Sequence, residues 1–538
     1  MPSSPAGALH SEPGQPRVPP AGAIESGRLL PLHAIWAMAL LLAVAALWPL
    51  AAFPEIVAQD YPNHLARAFI LLHRGDPLLA AHYRVDWLPI PDLGWDLWAL
   101  AFGRIVSLEW AAKLLVLISG ALTISGCFVL GRIIVGRWTA VPLLAFPFLF
   151  SAGYAKGFLS FDLGIGAALW AMAWWLWAPE RQWAVRLLVA AGFSSLLYIV
   201  HFYAWAAYGI FVLGIELTPA MSSPGAPRLA RLGTILRDGT QALPAFAMLW
   251  WSSVVPLRPM DPSKRAFGMF DLPWDRLGEA GQLINGDTAW GAVGLCAMGL
   301  ALLLPFALGW ARLNSRAAVP IALYVALFFA LPNRIVDTYW VAWRVLLPAT
   351  FLTIASTVPI GRWRRPVICA QVAVAALVTA AIPLLQADSW RQSERERADF
   401  IAAIAPIREG SRLFWAHSGV SKHYVVTHEI GAYHVGSYAV VAKRALVQSM
   451  FAYYGQQPLH FREDWVRNVP ETSTMFLPEI VKSFGGSRIS LAQFVERFDY
   501  VLMHGADDSV ERVLLPIDHL QLINRVGDFR LYAVHASD

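Results

Sequence analysis

Hydrophobic residues in this chain gather in long unbroken blocks, without the three–four spacing of a surface helix or the alternation of a half-buried strand. Eleven blocks predict membrane spans, each approaching the ~20 apolar residues that cross a bilayer. They are Leu30 to Phe53, Ala111 to Leu130, Ala140 to Ala155, Phe158 to Trp177, Val185 to Val200 and Phe202 to Leu217. Ala242 to Val255, Ala289 to Trp310, Ala317 to Leu331, Val345 to Ile360 and Val367 to Leu385 follow. Flanking Trp and Tyr, which favour the interface, complete the shorter ones. Beyond Asp388 the pattern changes: SWRQSERERADFIAAIAPI reads as a charged helix. SRLFWAHS, FDYVLMHG and DFRLYAVHA alternate like strands, with a helical patch at SVERVLLP. The predicted fold class is a polytopic α-helical membrane protein of about 11 transmembrane helices over 30–387, with a first outer loop at 54–110. An extracytoplasmic α/β domain over 388–538 completes it. No fixed-period repeat points to a solenoid or an inverted-repeat transporter.

Composition agrees with a membrane protein: 57% of residues are hydrophobic and 15% charged, whereas a soluble domain carries about 25% charged. Residues 1–29, rich in Pro, Gly, Ser and Ala, are expected to be disordered, and they are too long and polar for the start of a cleaved signal. The net charge of +5 does not mark a nucleic-acid binder, because the arginines are scattered between apolar blocks and form no basic stripe. Instead they set orientation. Arg132, Arg137, Arg181, Arg186, Arg312, Arg316, Arg362, Arg364 and Arg365 fall on one side, with Arg228, Arg231 and Arg237. The positive-inside rule makes that side cytoplasmic, so the N-terminus is inside and the 54–110 loop outside. Arg67, Arg74, Arg84, Lys156, Lys264, Arg265 and Arg344 then stand on the outer side and call for a local reason. Cys127, Cys296 and Cys369 all lie in spans and read as packing residues.

The outer loop opens with QDYPNHLAR, residues 59–67. Pro62 suits the first turn of a helix with Asp60 or Tyr61 at its cap. His64 and Arg67, three apart, share a face opposite Leu65, Phe69 and Leu72, which predicts an amphipathic helix lying on the membrane. Asp60 either caps this helix or serves as a base, since a helix N-terminus favours the carboxylate. Arg67 by itself could equally snorkel to headgroups.

The acid just after the first span is followed by the short helical piece LGWDLWALAF and a span closing in GRIIVG. This layout resembles the GT-C glycosyltransferases, which include the protein O-mannosyltransferases and the lipid A aminoarabinose transferases. The resemblance continues at GFLSFDLGIGAALWAMAWW, at YWVAWRVLLPA and in the terminal FDYVLM and VGDFRLYAVH, while QDYPNH and PIPDLGWD depart from the usual first-loop patterns. It implies that Asp60 is the catalytic acid–base residue of the first loop. Asp162, in SFDLG, resembles a second acid that in some members binds donor phosphate or a metal; the alternative is a pairing with Lys156. Arg344 resembles a basic residue beside the polyprenyl phosphate, with headgroup snorkelling as its alternative. His201, at an outer turn in LLYIVHFYAW, is either a phosphate contact or packing. His64, Arg67 and Lys156 complete the donor- and acceptor-binding set.

The function so implied is inverting transfer of a sugar from a polyprenyl-phosphate donor to a hydroxyl acceptor (glycan, lipid or protein) on the outer face of a bacterial inner membrane. Membrane lipid surrounds the reaction, and a divalent ion held partly by Asp162 is one way to neutralise the departing phosphate. The competing classes are a transporter or lipid flippase, and a non-catalytic subunit of a polysaccharide assembly machine. In AYHVGSYAVV and SMFAYYGQQPLHF, either of which could shape the acceptor side, the pattern singles out no residue.

Overall fold

The structure, a computed structural model, describes residues 30–222, 228–254, 273–284, 289–335, 338–418, 434–452, 456–462, 477–484, 490–505 and 520–535. The N-terminal stretch 1–29, the SVERVLLP patch and the cations Lys264 and Arg265 lie outside the described residues.

Among the described residues, five helical stretches are long and apolar enough to cross a membrane: α1 (Leu32–Ala52), α5 (Leu108–Val135), α7 (Leu159–Trp177), the Glu180–Val200 stretch containing α8 (Trp183–Val200), and the Gly361–Ala403 stretch. Shorter apolar stretches cover Val141–Lys156, Phe202–Thr218, Gly291–Ala307, Ser315–Ala330 and Val341–Ser356. The Ala140 to Ala155 block is not one straight helix. It divides into a 3-10 segment (Val141–Phe150), which holds Pro142 and Pro147, and the short α6 (Ala152–Lys156). Proline lacks the amide hydrogen and crowds the preceding turn, so an uninterrupted α-helix is disfavoured there. Large apolar side chains such as Leu40, Leu41, Val44, Leu300 and Leu377 are exposed, as helix faces that meet lipid require. Among the cysteines only Cys127 is buried; Cys296 and Cys369 are exposed, so packing explains the first alone.

The last apolar block and the charged segment after it are a single helix, α16 (Arg364–Ala403). Beyond it lies a five-stranded sheet in the order β10-β11-β9-β6-β7. Strands β6 (Arg412–His417), β9 (Tyr500–His504) and β11 (Phe529–Val534) coincide with the three alternating stretches of the sequence. β6 runs parallel to β7 (Leu446–Val447) and to β9, while β11 is antiparallel to β9 and to β10 (Leu520–Val526).

This C-terminal part closes over the segment between α1 and α5, which contains α2 (Tyr61–Leu72), α3 (Pro77–His82), β1 (Tyr83–Val85) and α4 (Gly94–Phe102). β1 pairs with β8 (Leu459–Phe461), Tyr83 opposite Phe461. The Tyr83 hydroxyl donates to the Ala445 carbonyl and accepts from the Val447 amide. Arg444 holds Asp76 at 2.7 Å. In consequence α2 does not lie on the membrane as an amphipathic helix: every residue from Tyr61 to Ala68 is buried, polar and apolar alike. The polar face expected to meet water meets the C-terminal part.

Candidate active site

Two backbone bonds place Asp60. Gln59 N–H donates to the Ala155 carbonyl at 2.9 Å, and Asp60 N–H to the Lys156 carbonyl at 3.0 Å. The loop before α2 is thereby stitched to the end of α6. Gly157 makes the approach possible: its φ is +82°, and a Cβ there would stand 3.1 Å from the Asp60 nitrogen.

Asp60 occupies the N-cap position of α2 but does not cap it. Its backbone is αR (φ −90°, ψ −4°), and its carboxylate accepts no bond from the helix amides. Asp76 shows the contrast: with an extended backbone, its carboxylate accepts from the amides of Leu78 and Leu79 at the start of α3. The Asp60 carboxylate turns instead to His434, whose Nε2 is 3.4 Å from Oδ1. His434 is itself oriented by Asn63. The Asn63 amide donates to the Ser449 carbonyl, its Oδ1 accepts from Phe451 N–H, and its Nδ2 lies 3.3 Å from His434 Nδ1.

The residues after Lys156 reach the other predicted groups. Lys156, buried, lies with Nζ 4.3 Å from the centre of the Trp340 ring. Phe158, Tyr203 and Phe161 surround the Arg344 guanidinium at 4.1, 5.1 and 5.3 Å. Arg344 heads α15 (Val341–Ser356) and is buried; its Nε has no hydrogen-bond partner among the described residues. Headgroup snorkelling is therefore not its role here. Asp60, Asp92 and Asp162 all lie within electrostatic reach of it. His201, between α8 and α9 (Phe202–Ser222), accepts from Tyr203 N–H at Nδ1. A neutral His201 then carries its proton on Nε2, which lies 3.2 Å from Arg344 Nη1 and 3.9 Å from Asp92 Oδ1. Two donors thus face each other beside an acid, an arrangement chemically suited to contacting an anion. Burial pushes the Asp92 carboxyl up to about 6, with Arg67 opposing. Asp92 (φ +71°) and Trp340 (φ +63°) are two of the three non-glycine residues in left-handed conformation among those described.

Asp162 lies on the first turn of α7, opposite Ser151 and Gly153. With Ser151 and Tyr154 it lines a largely apolar groove between α1, α5, α7 and α15, about 730 Å³ of unfilled space with open surroundings included. Leu47, Leu50, Val116, Leu149 and Phe351 supply apolar lining, and Ser119 and Thr123 further polar groups. Among the described residues no three His, Cys, Asp or Glu side chains come together as metal ligands.

Two predicted site residues are placed otherwise. Arg67 is completely buried and donates from Nε to Asp96 at 2.7 Å, with Nη2 3.1 Å from His64 Nδ1. It forms an internal ion pair and is not exposed for snorkelling to headgroups. His64 is buried with it; burial and the Arg67 charge hold its pKa well below the usual value, so it is neutral. His434, Asn63 and Asp92 were missed. Asp92 stood in the atypical PIPDLGWD stretch and His434 in AYHVGSYAVV, but nothing local distinguished them.

No protein-family model and no curated protein matches the sequence. The fold is similar to that of ArnT from Cupriavidus metallidurans, solved bound to undecaprenyl phosphate. The TM-score is 0.52 at 12% identity, over 94% of this chain and 98% of that one.

Proposed function

We propose that this chain is an inverting GT-C-type glycosyltransferase, moving a sugar from a polyprenyl-phosphate donor to a hydroxyl acceptor at the outer face of a bacterial inner membrane, with its N-terminus cytoplasmic. One observation carries the reading. A carboxylate diverted from its helix cap and a guanidinium with an unused donor both border the Lys156–Phe158 turn, and Asp162 a few residues on lines a largely apolar groove. The likeness to a protein that binds undecaprenyl phosphate supports a lipid-borne donor.

The prenyl chain would occupy the groove, its phosphate held by Arg344 and His201 with Lys156 beside them. Asp60 takes the acceptor hydroxyl proton as that oxygen attacks the anomeric carbon from the face opposite the phosphate. The new C–O bond forms while the bond to phosphate breaks, and the lipid phosphate leaves with the electron pair. Fixed cations stabilise its charge, so it departs without protonation. No step is routed through a metal ion.

Lipids copurifying with the protein, identified by mass spectrometry, test the donor assignment. A polyprenyl-phosphate sugar that is retained by the wild type and lost in Arg344→Gln is expected. Equal recovery of bulk phospholipid alone from both would overturn it.

A further inference from the structure

We infer that the C-terminal part contributes a working residue to this site: His434 is a positioning residue that holds the Asp60 carboxylate aimed at the acceptor. The inference rests on the proposed reading of Asp60 as the base and goes beyond it, because it assigns a task to a part of the chain remote from the membrane spans.

The argument runs through proton placement. Asn63 cannot be turned over, because its Oδ1 takes the Phe451 amide hydrogen at 2.7 Å and its Nδ2 gives to the Ser449 carbonyl at 2.9 Å. Its nitrogen is therefore the atom facing His434 Nδ1, which must accept. A neutral His434 in that tautomer carries its hydrogen on Nε2, the atom 3.4 Å from Asp60 Oδ1. His434 is buried and its ring stands edge-on to Phe451 at 4.9 Å, so it cannot swing away freely. One Asp60 oxygen is thus engaged from the C-terminal side, while the carboxylate is released from the capping role that would fold it back onto α2. The second oxygen is left to receive a proton. His434 Nε2 already bears hydrogen, so it orients the base and does not relay the proton onward, in the way a base is itself oriented by a third group in other acid–base sites.

Two measurements on the full-length protein in nanodiscs decide this separately from the functional reading. The first is a thermal-unfolding cycle of Asp60→Ala, His434→Ala and both together. The contact predicts that the double variant loses roughly 2 °C or more less than the sum of the singles; additive losses overturn the inference even if the protein proves to be a transferase. The second follows release of undecaprenyl phosphate from a panel of undecaprenyl-phosphate hexoses and pentoses, with cell-envelope extract as acceptor. His434→Ala should lower kcat at least about tenfold, with KM for the donor lipid within about twofold of wild type. His434→Gln, whose Nε2 restores a donor near the same point, should recover most of the rate. Equal rates for wild type and Ala, or equal loss in Ala and Gln, overturn the positioning role. If the wild type itself releases nothing, the functional reading fails, and the unfolding cycle alone still decides whether His434 holds Asp60.

Discussion

Arg67 and Asp96 form an ion pair with neither side chain exposed, Nε donating to Oδ1 at 2.7 Å. The pair joins α2 to α4 beneath the C-terminal part. Arg67 Nη1 and Asp96 Oδ2 have no hydrogen-bond partner among the described residues, so each depends heavily on the other. Removing one partner of such a pair costs about 3–5 kcal/mol, because a charge is left buried alone. Arg67→Met should therefore lower the melting temperature sharply, while Arg67→Met with Asp96→Leu should recover most of the loss. Thermal unfolding in nanodiscs checks both; equal melting of the double and single variants would show that the pair is not what holds α2 in place.

The helical membrane class and several elements were legible because their signals are local, whereas five long apolar stretches among the described residues leave the count of eleven spans unmatched. The helix at QDYPNHLAR, the short helix at LGWDLWALAF, the GRIIVG terminus of α5 and the three strands beyond α16 each follow from spacing within a dozen residues. The site was half legible for the same reason. Asp60, Lys156, Asp162 and Arg344 announced themselves as charges at the edges of apolar blocks. Arg67 misled because its countercharge is 29 residues ahead, on another helix. His434 could not be found because what distinguishes it is Asn63, 371 residues earlier in the chain. No periodicity encodes such a pairing; only the closure of the C-terminal part over the first loop creates it.

Asp92 gives a pH signature. The folded protein binds its proton more tightly than the unfolded chain does, since burial raises the carboxyl from 3.8 to about 6. Its ionisation therefore opposes folding. This contribution is absent below pH 3.8, grows as pH rises to about 6, and is constant above. Asp92→Asn should flatten that part of the stability curve and raise the melting temperature near pH 7. Melting temperatures from pH 4 to 7 measure it; an unchanged slope in the variant would assign the effect elsewhere.

Gly153 sets the position of Asp162. A Cβ at residue 153 would lie 2.5 Å from Asp162 Oδ1, so Gly153→Ala must displace the carboxylate. If Asp162 shapes the phosphate end of the groove, this variant should weaken binding of undecaprenyl phosphate about tenfold with little change in melting temperature. Unchanged lipid affinity would remove Asp162 from the donor site.

Arg344 should separate from Asp60 kinetically. Arg344→Lys keeps the charge but loses the planar stack on Phe158 and the second donor, so it should raise KM for the lipid donor as well as lower kcat. Initial rates at varied donor concentration test this, and wild-type kcat and KM in the variant would place Arg344 away from the bound phosphate.

The most direct measurement is the transfer rate of Asp60→Asn on a donor lipid that the wild type turns over, with donor binding measured on the same preparation. Loss of a positioned general base predicts a fall of about 10²–10⁴-fold in rate, with donor affinity and melting temperature retained. Transfer at the wild-type rate by a folded, donor-binding Asp60→Asn protein would contradict the account.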